Sequence, residues 1–299
     1  MRKVGELCRS HPVIRGAVVF FFIAPLILMG QLTSVSITPS DRLVNQTATH
    51  LFQFTTTGSI PANGRLVFIY PAGFVLSGVN TVSSSTMDGS FVISFAGTTL
   101  TITRTGGTAT VAGSVQNLQF SLVRNPTTSG SKTFTIRTET NTGTLIDEGS
   151  CIDFIYPGPL NYFVINAPTT ATAGISFGTG VVVTARDEFG NRASTYSGIL
   201  SWSTSDPHSS VVLPTDDGSG WANGQKTFSG SGFVLITKGN QTLTAQDGSA
   251  TGTSGNINVA SGAMADFNIS AGSAQTAGIP FTLSISNAVD AYGNTVNGT

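Results

Sequence analysis

The first residues in this sequence with a spacing suited to chemistry are two acid–amide pairs. Asp187 and Asn191 close the run Asp187-Glu-Phe-Gly-Asn191, and Asp290 and Asn294 close Asp290-Ala-Tyr-Gly-Asn294. Oxygen donors four residues apart on a turn suggest calcium, which takes six to eight oxygen ligands. Each run offers few carboxylates for such a cation, so a structural turn is the stronger reading. Gly190 and Gly293 supply a left-handed backbone, Asn191 and Asn294 tolerate one, and Asp187 and Asp290 accept turn amides. Phe189 or Tyr292 is expected to pack under the loop. Asp206, Asp216 and Asp217 are the other weak metal candidates; they fall in a loop-rich stretch without liganding spacing.

Nucleophiles fare no better. Ser129-Gly-Ser-Lys132 matches Ser-x-x-Lys, but that motif opens a helix, whereas here a turn feeds a strand. Cys151 begins the alternation Cys-Ile-Asp-Phe-Ile and is expected at a buried strand position. His11, His50 and His208 are scattered, and neither His-Glu-x-x-His nor Gly-x-Ser-x-Gly occurs. Asp147-Glu148 reads as a solvated turn pair. No catalytic residue, cofactor site or enzyme is expected. Trp221, in Gly218-Ser-Gly-Trp-Ala-Asn-Gly224, is the one candidate for ligand contact, as a platform for a sugar ring. Trp202 follows Leu200 at i+2 and is expected to face a core.

The elements that must position these residues are strands. From Thr33 to about Gly158, short apolar-patterned runs alternate with Asn63-Gly64, Asp88-Gly89, Gly106-Gly107 and Asn125-Pro126 turns. In Lys132–Thr138, Phe134 and Ile136 share one face while Thr and Arg point away, the period-2 mark of a half-wet strand. The alternation predicts eight strands here, among them Leu51–Thr56, Arg65–Tyr70 and Cys151–Tyr156. A second run, Leu160–Ala260, predicts eight more, including Gly180–Arg186, Ser210–Leu213, Gly232–Ile236 and Gln241–Gln246. So many short strands in ~100 residues suit a two-sheet sandwich.

The sequence also repeats. Thr172-Ala-Gly-Ile-Ser-Phe177 returns as Thr276-Ala-Gly-Ile-Pro-Phe281, and the two acid–amide turns lie about 103 residues apart, too long a period for a solenoid. Ser261-Gly-Ala-Met-Ala-Asp-Phe-Asn-Ile restarts the pattern of Leu160-Asn-Tyr-Phe-Val-Ile. The third copy is expected to be incomplete, since two strands bury no core.

Composition narrows the function classes. Only 10 % of residues are charged and the formal net charge is -1, with no basic cluster, so nucleic acid is not an expected partner. Hydrophobic residues make up 39 % and are patterned, which excludes disorder. Arg2, Lys3, Arg9 and Arg15 flank an apolar run from Ala17 to Met29, the form of a secretory signal or an uncleaved signal-anchor. A membrane is expected to be touched only through that segment. Cleavage would remove Cys8 and leave Cys151 alone, so hydrophobic cores rather than disulfides must hold the exported domains.

Val181–Asn191 and Gln225–Asp247 carry a family likeness. The order of strand, Asp187–Asn191 turn, Ile199–Ser203 strand, Asn223-Gly224 turn and Gly239–Ala245 resembles bacterial immunoglobulin-like domains of the invasin and intimin type. The resemblance covers the second run well, the third as far as it goes, and the first only in style. It implies repeats strung into rods that hold adhesive or enzymatic ends away from a bacterial surface. This sequence departs from an intimin-like pattern in that residues 1–32 carry no recognisable outer-membrane barrel or peptidoglycan-binding segment, so the resemblance implies no mode of attachment.

The expected fold is therefore all-β: tandem Ig-like β-sandwiches after an N-terminal signal or anchor helix, the last one truncated. The expected divisions are 1–32 for the leader, 33–158 and 160–260 for two sandwiches, and 261–299 for the start of a further repeat. The expected role is a non-catalytic stalk or adhesive rod of a secreted or cell-surface protein. Its partners would be host or environmental surface ligands, or glycans. The alternative is accessory or carbohydrate-binding modules of a large secreted hydrolase whose catalytic domain lies outside this chain.

Overall fold

The computed structural model describes residues 30–272 and 274–296. The apolar run Ala17–Met29, expected to be a signal or signal-anchor, lies outside the described residues, and among those no helix is long and apolar enough to cross a membrane. Apart from one 3-10 turn, the described residues are all-β, as their alternation predicts; the expected N-terminal helix lies outside them.

The first ten strands are β1 (Gly30–Gln31), β2 (Thr33–Pro39), β3 (Thr47–Thr55), β4 (Arg65–Ile69) and β5 (Val82–Ser83), then β6 (Ser90–Ala96), β7 (Thr99–Thr105), β8 (Val115–Arg124), β9 (Gly130–Glu139) and β10 (Leu145–Ile155). They form two sheets, ordered β1-β10-β9-β4-β7-β6 and β2-β3-β8-β5. Alternation sends one face of each strand inward: His50, Phe52 and Phe54 of β3 are buried while Gln53 is exposed. Phe52, Phe68, Phe120 and Phe134 interlock between the sheets, the Phe68 and Phe120 rings 4.7 Å apart and edge to face.

A second, separate core begins at Phe163. Its strands are β11 (Tyr162–Asn166), β12 (Thr170–Thr172), β13 (Val181–Arg186), β14 (Ser201–Thr204) and β15 (Gln225–Phe228), then β16 (Gly239–Gln241), β17 (Leu243–Asp247), β18 (Ala250–Thr253) and β19 (Ile257–Ala260). They pair as β11-β13-β15, β12-β19-β16 and β14-β17-β18. Ser210–Leu213 and Gly232–Ile236 do not form the expected strands. A 3-10 turn occupies Gly230–Gly232, and the two segments meet only at a bridge between Val212 and Val234. Glycines on both sides of Ser231 favour the turn over an extended run. β12 and β18 lie outside the expected set, being short and rich in Thr, Ala and Gly.

The last pair, β20 (Met264–Ala271) and β21 (Leu283–Asp290), is antiparallel and repeats the β11–β13 hairpin. Its apolar side chains Ile269, Leu283 and Ile285 are exposed, and burial begins only near Asp290.

Two acids depart from expectation. Asp147 is not solvated: it is buried within β10, where its carboxylate accepts the Thr57 and Gly58 amides at 3.2 and 3.0 Å and the Thr57 hydroxyl. Three donors thus serve a buried side chain that would otherwise be costly to desolvate. Glu148, beside it, pairs with Arg137 across the β9–β10 ladder. Cys151 is half-buried on β10 rather than fully buried, and burial, aided by Asp153, pushes its thiol up to about 11. A thiol held protonated is a poor nucleophile. Trp202 packs edge-on against Phe228 and Phe233 of the second core.

Candidate functional site

The site with the most specific geometry is built from the two acid–amide turns. In the first, Asp187 follows β13 and is fully buried. Its Oδ1 accepts the main-chain amides of Phe189 at 3.0 Å and Asn191 at 2.8 Å, and the Gly190 amide donates to the Asp187 carbonyl. This is a side-chain-capped turn of the kind Asp favours, closed by Gly190 at φ +83°. The second turn repeats it: Asp290 Oδ1 accepts Tyr292 and Asn294 amides, both at 2.9 Å, and Gly293 stands at φ +84°.

Both turns then reach out of their own hairpin. Asp187 Oδ2 accepts the Gly158 amide at 2.9 Å, and Asp290 Oδ2 accepts the Gly262 amide at 2.8 Å. These glycines sit in the segments joining each core to its successor. The Asn side chains grip the preceding core. Asn191 Nδ2 donates to the Thr127 carbonyl at 2.8 Å while its Oδ1 accepts the Ser129 amide at 2.9 Å. Asn294 does the same to the Ile236 carbonyl and the Lys238 amide, again at 2.8 and 2.9 Å. In both cases the amide reads a carbonyl and the N–H two residues later. Each Asn is aimed by its own Asp, whose Oδ2 accepts the same Nδ2.

The receiving side is also repeated. Val44 donates its amide to the Tyr156 carbonyl and Asn45 donates to Pro126; Ala173 and Gly174 donate likewise to Ala260 and Leu235. Asn45 and Gly174 both adopt positive φ, 61° and 75°, at the bend that makes this possible. The first core, which shares little sequence with the second, thus ends in the same socket. At the second joint the Tyr292 ring lies against Gly174, where a Cβ would overlap it, and edge-on to His208 at 5.8 Å. Neither aromatic is buried under its own turn, in contrast to the sequence-based expectation: Phe189 and Tyr292 are both exposed.

The remaining candidates have other engagements. Asp187 and Asp290 carry two N–H donors on each oxygen, which leaves no lone pair for a cation. Burial pushes the Asp290 carboxyl up, but bonds from Asn294, Gly262 and Tyr292 outweigh it and hold the group down at about 2. Asp206 accepts the Ile236 and Thr237 amides, the Thr237 hydroxyl and the His208 amide, and so braces the Ile236–Lys238 receptor from behind. Asp216 accepts the Leu200 and Gly218 amides and pairs with Lys226, while Asp217 holds Ser219. Asp206, Asp216 and Asp217 do not converge, and no group of three His, Cys, Asp or Glu suited to a metal occurs among the described residues. Trp221 is half-buried; its indole N–H donates to the Gly198 carbonyl at 2.8 Å and its ring meets Tyr196 edge-on. Sequence reasoning missed this role of Thr127, Ser129 and Ile236, which contribute only main-chain atoms, and of Lys238, whose ammonium also donates to the Thr295 carbonyl at 2.7 Å.

No protein-family model matches the chain, and no curated protein matches it. Among solved structures, it is similar to the C-terminal domain of the Streptococcus agalactiae AgI/II polypeptide BspA at 10 % identity and TM-score 0.32, over 75 % of this chain and 96 % of that one. It is similar to domains 4–9 of surface layer protein SbsC at 15 % identity and TM-score 0.28, over 89 % of this chain and 38 % of that one. A cohesin module of a Clostridium perfringens family 33 glycoside hydrolase aligns at 14 % identity and TM-score 0.29, over 44 % of this chain and 97 % of that one. Likeness at these scores carries no functional argument.

Proposed function

We propose that this chain is a non-catalytic spacer of an exported surface protein, a stalk or adhesive rod of β-sandwich domains clamped end to end. In this reading residues 33–158 and 160–260 are separate domains, residues 261–299 begin another, and residues 1–32 direct export. The observation that carries it is the joint: the same acid, amide and glycine make the same bonds at both junctions. Domains in one chain move freely unless an interface restrains them, so a repeated clamp has a mechanical meaning. Because the clamp reads main-chain atoms, it tolerates sequence change in the unit that receives it. The invasin-type resemblance and the low charge agree with that role.

Small-angle scattering of the full chain tests the reading. The wild type should scatter as one elongated rigid particle. Asn191→Ala combined with Asn294→Ala should keep the same circular dichroism yet show flexibly linked bodies. A wild type already flexible, indistinguishable from the double variant, would remove the spacer reading.

A further inference from the structure

The two sockets share their bonds but not their shape. Val44 and Asn45 of the first answer to Ala173 and Gly174 of the second, because each pair donates its amides to equivalent carbonyls, those of Tyr156 and Pro126 against those of Ala260 and Leu235. Asn45 and Gly174 therefore hold one position in the joint, and both are left-handed, at φ 61° and 75°. The backbone alone does not call for the difference, since glycine adopts this conformation freely and asparagine tolerates it. What distinguishes them is a Cβ, which Asn45 has and Gly174 lacks.

That difference faces the clamp. A Cβ on Gly174 would stand 2.6 Å from Cζ of Tyr292 and closer still to its Cε2 and hydroxyl oxygen, well inside van der Waals separation. The same ring is edge-on to His208 at 5.8 Å. His208 is itself held: its amide donates to Asp206, and its Nδ1 accepts the Ser210 amide at 3.1 Å. In the turn of the first joint, Phe189 takes the place of Tyr292.

The filled position is also braced. Asn45 Oδ1 accepts from Arg124 Nε at 2.8 Å and from a terminal nitrogen of the same guanidinium. Arg124 lies two residues before Pro126, whose carbonyl receives the Asn45 amide. Two residues before Leu235, in the second socket, stands Phe233, fully buried in the second core. The second socket thus has a core phenylalanine where the first has the cation that holds its asparagine.

We propose that this position is a key: Gly174 admits a Tyr-bearing turn into the second socket, and the Cβ of Asn45 bars such a turn from the first. This deepens the spacer reading and rests on it. The clamp bonds themselves cannot discriminate, because Asp, Gly and Asn recur in both turns and their receptors are main-chain atoms. On those bonds alone either turn would seat in either socket. The partner that fits the Gly174 socket is a hairpin of the β20–β21 kind with Tyr before the turn glycine. Units that share one clamp then still join in a fixed order.

A double-mutant cycle on the full chain, read by amide exchange at Lys238 and Gly262, tests the key. Asparagine is the informative substitution at Gly174, because it tolerates the left-handed backbone and adds the Cβ. Gly174→Asn should lower the protection of both amides by a factor on the order of 10–100, as overpacking does. Ser129 and Gly158, which report the first joint, should hold. With Tyr292→Ala in place, the same substitution should change protection at Lys238 and Gly262 by less than about twofold. An equal loss in both backgrounds would mean that backbone strain acts alone, and no loss in either would mean that the ring moves aside; each overturns the proposal. Should Gly174→Asn unfold the second core, the double variant decides: a folded core supports the overlap, and a core still unfolded overturns it. If Lys238 and Gly262 are unprotected in the wild type, the clamp is absent, and the spacer reading falls and takes the key with it.

Discussion

Asp187→Ala should cost the joint and the turn together, destabilising this region by about 3–5 kcal/mol. The carboxylate is fully buried and serves four donors: the amides of Gly158, Phe189 and Asn191 and the Asn191 side chain. Removing it strands all four in a site that excludes water. Charge-assisted bonds of this kind are roughly twice as strong as neutral ones. Asp187→Asn is expected to rescue little, since an NH2 group in place of Oδ2 would face two donors. Denaturant unfolding followed at Trp202 and Trp221 checks the stability, because both indoles belong to the second core. A loss below about 1 kcal/mol would show that water serves the stranded donors, and that the turn is looser than its geometry.

Arg104→Met carries the other large effect, on the first core. The Arg104 side chain has no solvent exposure, yet only part of its partnership is ionic. One terminal nitrogen donates to the Ile60 and Pro61 carbonyls at 3.2 and 3.0 Å. The other donates to the Thr108 carbonyl at 2.8 Å and to Asp88. The guanidinium thus pins three loops at one end of the sandwich. Methionine keeps the stem's volume and removes every donor, so carbonyls from all three loops lose their partner. We expect a loss of about 3 kcal/mol or more, and a fall in Tm of roughly 10 °C. Lysine should not rescue it, as one ammonium cannot reproduce the planar fork. Differential scanning calorimetry would show whether the lower transition belongs to the first core, as this placement requires.

Most of the strands were legible because alternation in a half-wet sheet is a local property. Lys132–Thr138 and Thr99–Arg104 can be read from side-chain type alone. The failures came where local signals were absent or balanced. Ser210–Leu213 carries enough β-branched residues for a strand, but its partner segment is broken by Gly230-Ser-Gly232. Asp147 looked solvated because a carboxylate beside Glu148 suggests a wet turn. Its partners, the Thr57 and Gly58 amides, are remote in sequence and carry no signature.

The joint was half legible. The recurrence of Asp, Gly and Asn at one spacing marked the turn; that Gly158 and Gly262 are its equivalent linker partners shows only in the structure. What the side chains grip was invisible, since the receptor is a carbonyl and an amide that any residue provides. Physics of that sort hides a shared architecture: the first socket uses Asn45 where the second uses Gly174, and both reach the same backbone bend.

In the proposed spacer, the clamps turn separate cores into one body. Residual dipolar couplings of main-chain amides, measured on the full chain in a dilute aligning medium, address it directly. A single alignment tensor should fit the strands of both cores, β3 and β8 together with β13 and β17. Tensors that differ in magnitude between the two cores would mean independent motion across Gly158, and would contradict the account.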